Sequence, residues 1–291
     1  MPSSSQDANP PLKASDPRLL MGSKDKNLLW YNPIFPGLGR DQKDFLESYS
    51  QLKHEVITPH ILAIRDKAWD VHPLPCIGQF RFIDLTLSRS PSYPHILQLL
   101  KAGGKLLDLG CCFGQDLRKL IHDGAPASSL FGADLRSEFI ELGYELFLDK
   151  HKIGVQFLIA DIFDPFSSLK QLDDQLDVVY IGLFLHLFDW DGQRQACERI
   201  VGLLKPEKGV LILGQQVGSL VARDVKFEGV RTVTRHDRGS FERLWREVGE
   251  RTGTERVVRA QLDGGLGVEN GKRAWDNQET RRLVFEVERV S

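Results

Sequence analysis

The sequence predicts an α/β protein built on one mostly parallel sheet. Five short runs, apolar almost throughout, alternate with stretches of helical periodicity across residues 105–213. The C-terminal part then carries two strand-like runs about a Gly-rich loop. Strands apolar on both faces need cover on both faces, which helices between parallel strands provide.

In chain order, residues 1–23 are polar and Pro/Ser-rich and read as a disordered tail. Without an apolar core they form neither a signal peptide nor a membrane anchor, and no later run approaches ~18 apolar residues. Residues 24–102 read as a helical or lid segment. Within it Trp30-Tyr31-Asn32-Pro33-Ile34-Phe35-Pro36-Gly37 is broken by its prolines. One or two helices follow from Asp41, with Phe45, Tyr49, Leu52 and Val56 and then, past Pro59, Ile61 and Ile64 at helical spacing. A further helix fits Pro94 to Lys101.

The main domain spans 103–291. Its strand runs are Lys105–Leu109, Leu130–Asp134, Val155–Ala160, Leu176–Ile181 and Gly209–Leu213, the last ending at Gly214. Helices are expected over Gln115–Asp123, Ser137–Asp149 and Asp191–Leu204. Ser240 can cap a helix to Glu250. Glu255–Leu262 and Arg282–Val290, joined by the loop Asp263–Gly271, make an antiparallel hairpin at the sheet edge.

Composition narrows the function. With 41% hydrophobic and 27% charged residues, the 291-residue chain can bury a core without staples. Cys76 and Cys197 are isolated, Cys111 and Cys112 adjacent, and no C-x-x-C spacing occurs. Neither a disulfide framework nor a metal site is expected, and the compartment reads as reducing and cytoplasmic. A net charge of −2 argues against a nucleic-acid binder. The arginines from Arg231 to Arg251 interleave with Asp237, Glu242, Glu247 and Glu250, as on a solvated, salt-bridged helix face.

The chemistry concentrates after the first strand, in Asp108-Leu109-Gly110-Cys111-Cys112-Phe113-Gly114. Gly110 and Gly114 permit a tight strand-to-helix turn and a close ligand approach. The helix N-terminus that follows exposes amide donors suited to a carboxylate. Asp108 would repel a pyrophosphate but suits a ligand bearing an ammonium and a sulfonium, and the loop lacks the G-x-G-x-x-G and P-loop fingerprints. Asp134 and Asp161 end the next two strands, so three acids lie on the carboxyl rim of one sheet, where ligands bind.

This D-x-G-x-x-x-G loop, with the two acids and the closing hairpin, resembles the class I methyltransferases, whose Rossmann-like sheet is seven-stranded. The resemblance implies S-adenosyl-L-methionine as cofactor, held by Asp108, Gly110, Cys111, Gly114, Asp134, Leu135, Asp161 and Ile162. In it Asp134 accepts from the ribose hydroxyls, and Asp161 with Ile162 brackets the adenine. Cys111 and Cys112 then fill a crowded loop rather than form a redox pair.

His186 follows the fourth strand. It either orients an acceptor oxygen, as a catalytic residue there would, or is a structural histidine.

Trp30-Tyr31-Asn32-Pro33, Asp161-Ile162, His236, Ser240-Phe241 and Leu244-Trp245 further resemble the fungal meroterpenoid carboxyl O-methyltransferases of secondary metabolism. That resemblance implies methylation of a carboxylate on an aromatic or polyketide-terpenoid small molecule by in-line displacement. A phenol is the alternative acceptor, and a methyltransferase-like regulatory protein the alternative class. Trp30 and Tyr31 would be a pocket wall or a strap packed on the sheet, and Arg40 or Arg81 would hold the carboxylate. A homodimer is left open.

Overall fold

The computed structural model describes residues 22–227, 231–267 and 276–291. The tail expected over residues 1–23 therefore lies outside the described residues, apart from its last two. Seven strands form one sheet in the order β3-β2-β1-β4-β5-β9-β8. They are β1 (Leu106–Leu109), β2 (Leu130–Asp134), β3 (Gln156–Ile159), β4 (Val178–Gly182), β5 (Leu211–Ser219), β8 (Arg256–Asp263) and β9 (Thr280–Arg289). The first five run parallel; β9 lies antiparallel between β5 and β8. This is the mostly parallel, Rossmann-like seven-stranded sheet with a closing hairpin that the sequence predicts.

Alternation along the strands divides the core. Leu107, Leu109, Val179 and Ile181 pack with helices α7 (Trp190–Leu203) and α8 (Arg238–Thr252) on one face. Leu106, Val178 and Tyr180 pack with α4 (Tyr93–Lys101) and α5 (Gln115–His122) on the other. Each fully buried Leu or Val contributes about 1.5–3 kcal/mol. A third core joins α1 (Arg40–Tyr49) and α2 (His54–Val71) to α6 (Ser137–Phe147), with the one-turn α3 (Pro75–Gly78) beside them. Pro59 does not separate the first two helices but sits inside α2; the break falls at Ser50–Lys53. Among the described residues no helix is long and apolar enough to cross a membrane.

Four expectations need correction. Strand β5 does not stop at Gly214 but continues to Ser219, because all nine of its residues are buried and pair with β9. A second hairpin, β6 (Arg223–Phe227) with β7 (Arg231–Arg235), was not expected. The cap of α8 is Asp237, whose carboxylate accepts from the Ser240 amide at 2.8 Å. Arg235 leaves the solvated face: it is buried on β7 and paired with Asp276. The Gly-rich loop lies partly outside the described residues.

Candidate active site

A cavity of about 390 Å³ opens where β1, β2 and β3 end. The chain turns sharply there. Gly110, at φ +74°, and Cys111 both donate backbone N–H groups to the Ala133 carbonyl, at 2.8 and 3.0 Å. A Cβ at Gly110 would stand 2.8 Å from the Phe184 ring, so that position has room only for hydrogen. Cys112 is also left-handed, at φ +52°, and its N–H donates to Asp134 Oδ2 at 2.9 Å. Gly114 then caps α5 at φ +65°.

Of the residues expected to hold the cofactor, Asp108, Gly110, Cys111, Asp134, Leu135, Asp161 and Ile162 all line this cavity. Gly114 does not; its part is to turn the chain into α5. Asp134 is fixed from both sides, since its Oδ1 also accepts from the Arg136 amide at 3.0 Å. Asp161 is exposed and accepts from the Phe163 amide at 2.9 Å.

The wall beside the glycine turn carries acids that sequence reading passed over. Asp116, second residue of α5, accepts from the Leu87 amide at 2.9 Å. Thr86 Oγ1 lies 2.5 Å from the Tyr180 hydroxyl and 3.4 Å from Asp116 Oδ2. Asp108 and Tyr180 stand opposite each other in the β1–β4 register. Burial pushes the Asp108 carboxyl well above its ordinary range, and nearby Asp116 and Asp134 push it further. Burial likewise raises Asp116 to about 7, against the pull of the Leu87 amide. Asp134 is raised by burial despite its amide donors. Such a wall gathers three carboxyl groups whose burial would be eased by a cation. It fits a ligand with an ammonium and a sulfonium and would reject a diphosphate.

The remaining wall is aromatic. Phe184, Phe188 and Phe163 line it, with ring centroids 5.2 Å apart for Phe184–Phe188 and 4.9 Å for Phe163–Phe188. Arg81 lines the cavity too, Nη2 donating to the Leu266 carbonyl at 2.5 Å and Nη1 lying 3.6 Å from Asp84 Oδ2. Phe188 is held from behind: Gln193 Nε2 donates to its carbonyl at 3.0 Å, and Gln193 Oε1 meets His236 Nε2 at 3.2 Å.

Four other candidates lie elsewhere. Trp30 and Tyr31 do not line the cavity; both are buried in the α1–α2–α6 core, with the Tyr31 hydroxyl on Asp66 Oδ1 at 3.0 Å. They belong to a helical core, neither lining the cavity nor packing on the sheet. Arg40 is exposed at the start of α1 and does not line the cavity. His186 sits half-buried on the turn Leu185–Leu187, outside the lining, while its neighbours Phe184, Leu187 and Phe188 are in it.

Comparison with known proteins bears on this geometry. Residues 30–83 match the family model of a meroterpenoid methyltransferase N-terminal domain, and residues 106–207 that of a methyltransferase domain. The chain is 45% identical over 270 residues to an O-methyltransferase of Stereocaulon alpinum, covering 91% of this chain and 77% of that protein. It is 40% identical over 218 residues to the Asnovolin E/Chermesin D methyltransferase of Aspergillus novofumigatus, covering 73% and 77%. A solved 1,6-didemethyltoxoflavin-N1-methyltransferase of Burkholderia thailandensis superposes with a TM-score of 0.50 at 16% identity, over 80% of this chain and 91% of that one. At that identity the likeness concerns the fold.

Proposed function

The chain belongs to the fungal meroterpenoid family of S-adenosylmethionine-dependent O-methyltransferases, and we propose that its methyl acceptor is a carboxylate on an aromatic or polyketide-terpenoid small molecule. The observation that carries this reading is that one cavity is lined by an acid-walled glycine turn, by the rings of Phe163, Phe184 and Phe188, and by Arg81. When bound, S-adenosylmethionine supplies an electrophilic methyl group on a positively charged sulfur.

The chain's own residues have modest tasks. Asp134, at the end of β2, offers carboxyl oxygens to the ribose, and Asp108, whose carboxyl burial holds above its ordinary range, offers an acceptor oxygen to the ammonium. Arg81 offers a guanidinium to the acceptor carboxylate. Phe184 and Phe188 pack the acceptor's apolar skeleton and exclude water. A carboxylate is already ionised at neutral pH, so orientation of its oxygen behind the methyl carbon suffices and no base is needed. The segment 24–102 supplies part of the cavity lining through Arg81, Phe82, Asp84 and Thr86, which is the role we assign to it.

A phenol is the second acceptor class, favoured by His72, which also lines the cavity. A phenol, with a pKa near ~10, must lose a proton, which an imidazole there could take.

The test is to supply methyl-labelled S-adenosylmethionine with matched aromatic carboxylic acids and phenols. Label that mild alkali releases as methanol marks an ester and supports the carboxylate. Alkali-stable label marks an ether and overturns it.

A further inference from the structure

Among the described residues, a heavily bonded buried charge lies behind the glycine turn rather than in the cavity. Arg118, on α5, has no exposed surface. Its Nε and Nη2 grip Asp149 with a fork, at 2.7 Å to Oδ2 and 2.9 Å to Oδ1. Its remaining donor, Nη1, reaches the carbonyls of Phe113 at 2.5 Å and Gly114 at 3.3 Å. Those two residues end the turn whose Cys112 amide holds Asp134.

Asp149 has a second partner. The Tyr49 hydroxyl, at the end of α1, donates to its Oδ2 at 2.8 Å. Burial and the Asp149 carboxylate push that hydroxyl well above its ordinary range, so it remains a donor. The N-terminal segment touches the turn a second time, since the Phe82 and Phe113 rings lie 4.8 Å apart.

We propose that Arg118 is a positioning residue for the cofactor turn, and that the Tyr49–Asp149 bond makes its grip depend on the docked N-terminal helices. A buried ion pair is a poor source of net stability, because desolvation offsets most of the attraction. Its value here is directional. The guanidinium is a rigid fork, so fixing two of its nitrogens on Asp149 fixes where the third points. Cys112 is a non-glycine residue held left-handed, a conformation that persists only when its surroundings enforce it. With the two carbonyls released, the turn can relax, and the Cys112 amide and Asp134 lose their register. On this account the N-terminal helices are part of the cofactor site without contacting the cofactor. The inference rests on the reading that this cavity holds the cofactor.

The test measures S-adenosylhomocysteine affinity by calorimetry, and melting temperature, for wild type, Tyr49→Phe, Arg118→Lys and a control. Tyr49→Phe deletes one hydroxyl and leaves the ring on Phe45; affinity should fall about fivefold, as for the loss of one ordinary hydrogen bond. Arg118→Lys keeps the charge and loses the fork, and should weaken binding more than ~10-fold. The control is Tyr93→Phe, which loses an equivalent 2.8 Å bond to Asp123 away from the turn. It should lower the melting temperature as Tyr49→Phe does, with affinity unchanged.

Equal affinity for Tyr49→Phe and wild type, or equal loss in Tyr49→Phe and the control, would overturn the proposal and leave the network structural. Failure of the wild type itself to bind would overturn the cofactor reading along with it.

Discussion

The hydroxyls of Thr86 and Tyr180, 94 residues apart in the chain, meet at 2.5 Å on the cavity wall, with Asp116 beside them. Asp116 faces Asp84 and Arg89 of the N-terminal segment, Asp108 of β1 and Tyr180 of β4. Its carboxyl titrates at about 7, against 3.8 for the ordinary group. Between those values the folded chain keeps a proton that the unfolded chain releases. Stability therefore falls as pH rises from about 4 to 7, and the whole cost is present above 7.

Asp116→Asn, which keeps an acceptor for the Leu87 amide, should thus gain stability relative to wild type on going from pH 5 to pH 8. Urea unfolding of both proteins at the two pH values reads this. A difference that does not change with pH would refute the assignment.

His236 carries the opposite sign. Burial lowers its ring to about 4, with Arg243 adding to that and Asp237 opposing. A base depressed below its unfolded value of 6.5 contributes stability that is complete above 6.5 and lost as pH falls toward 4. NMR of the labelled ring at pH 5.5 should show it neutral. A titration midpoint between 6 and 7 would contradict its placement between Ser240 and Gln193.

Asp134→Ala removes the acceptor of two backbone amides as well as the carboxylate offered to the ribose. Affinity for S-adenosylhomocysteine should weaken ~10-fold or more. Asp161→Ala should lose less, since Asp161 is exposed and among the described residues its carboxylate holds one amide, that of Phe163. The reverse ranking by calorimetry would move the ribose to the end of β3.

Gly110→Ala meets both a positive φ and the Phe184 ring. We expect ~1–3 kcal/mol of destabilisation, together with loss of cofactor binding. A variant as stable as wild type would show that Phe184 moves freely, and the aromatic wall would not be rigid.

Much of the sheet was legible because β1, β2, β4 and the start of β5 are apolar on both faces, a pattern with few other meanings. What lay beyond Gly214 was not. There glycine looks like a stop, yet a Cβ at that position would come 2.0 Å from the Ile181 carbonyl, so the residue marks a close approach instead. The buried Gln215 and Gln216 extend the disguise. The hairpin β6–β7 is polar and had no apolar signature to read.

In the site, Asp108, Asp134 and Asp161 were visible because each stands at or close to the carboxyl end of its strand. Asp116 was passed over since an acid in a first helical turn ordinarily needs only the helix dipole to explain it. Thr86 and Tyr180 come together only through the tertiary fold. Trp30 and Tyr31 show the converse: aromatics among prolines look the same whether they wall a pocket or fill a core.

The placement of β9 between β5 and β8 sets an order of events during synthesis. β8 reaches the sheet only through β9, so a ribosome that has translated every cavity residue named above still holds a chain with one strand position empty. Until Thr280–Arg289 emerges, the edge of β5 is an open template for other chains. The nascent protein's exposure to aggregation at that edge thus lasts until β9 is free to pair with it.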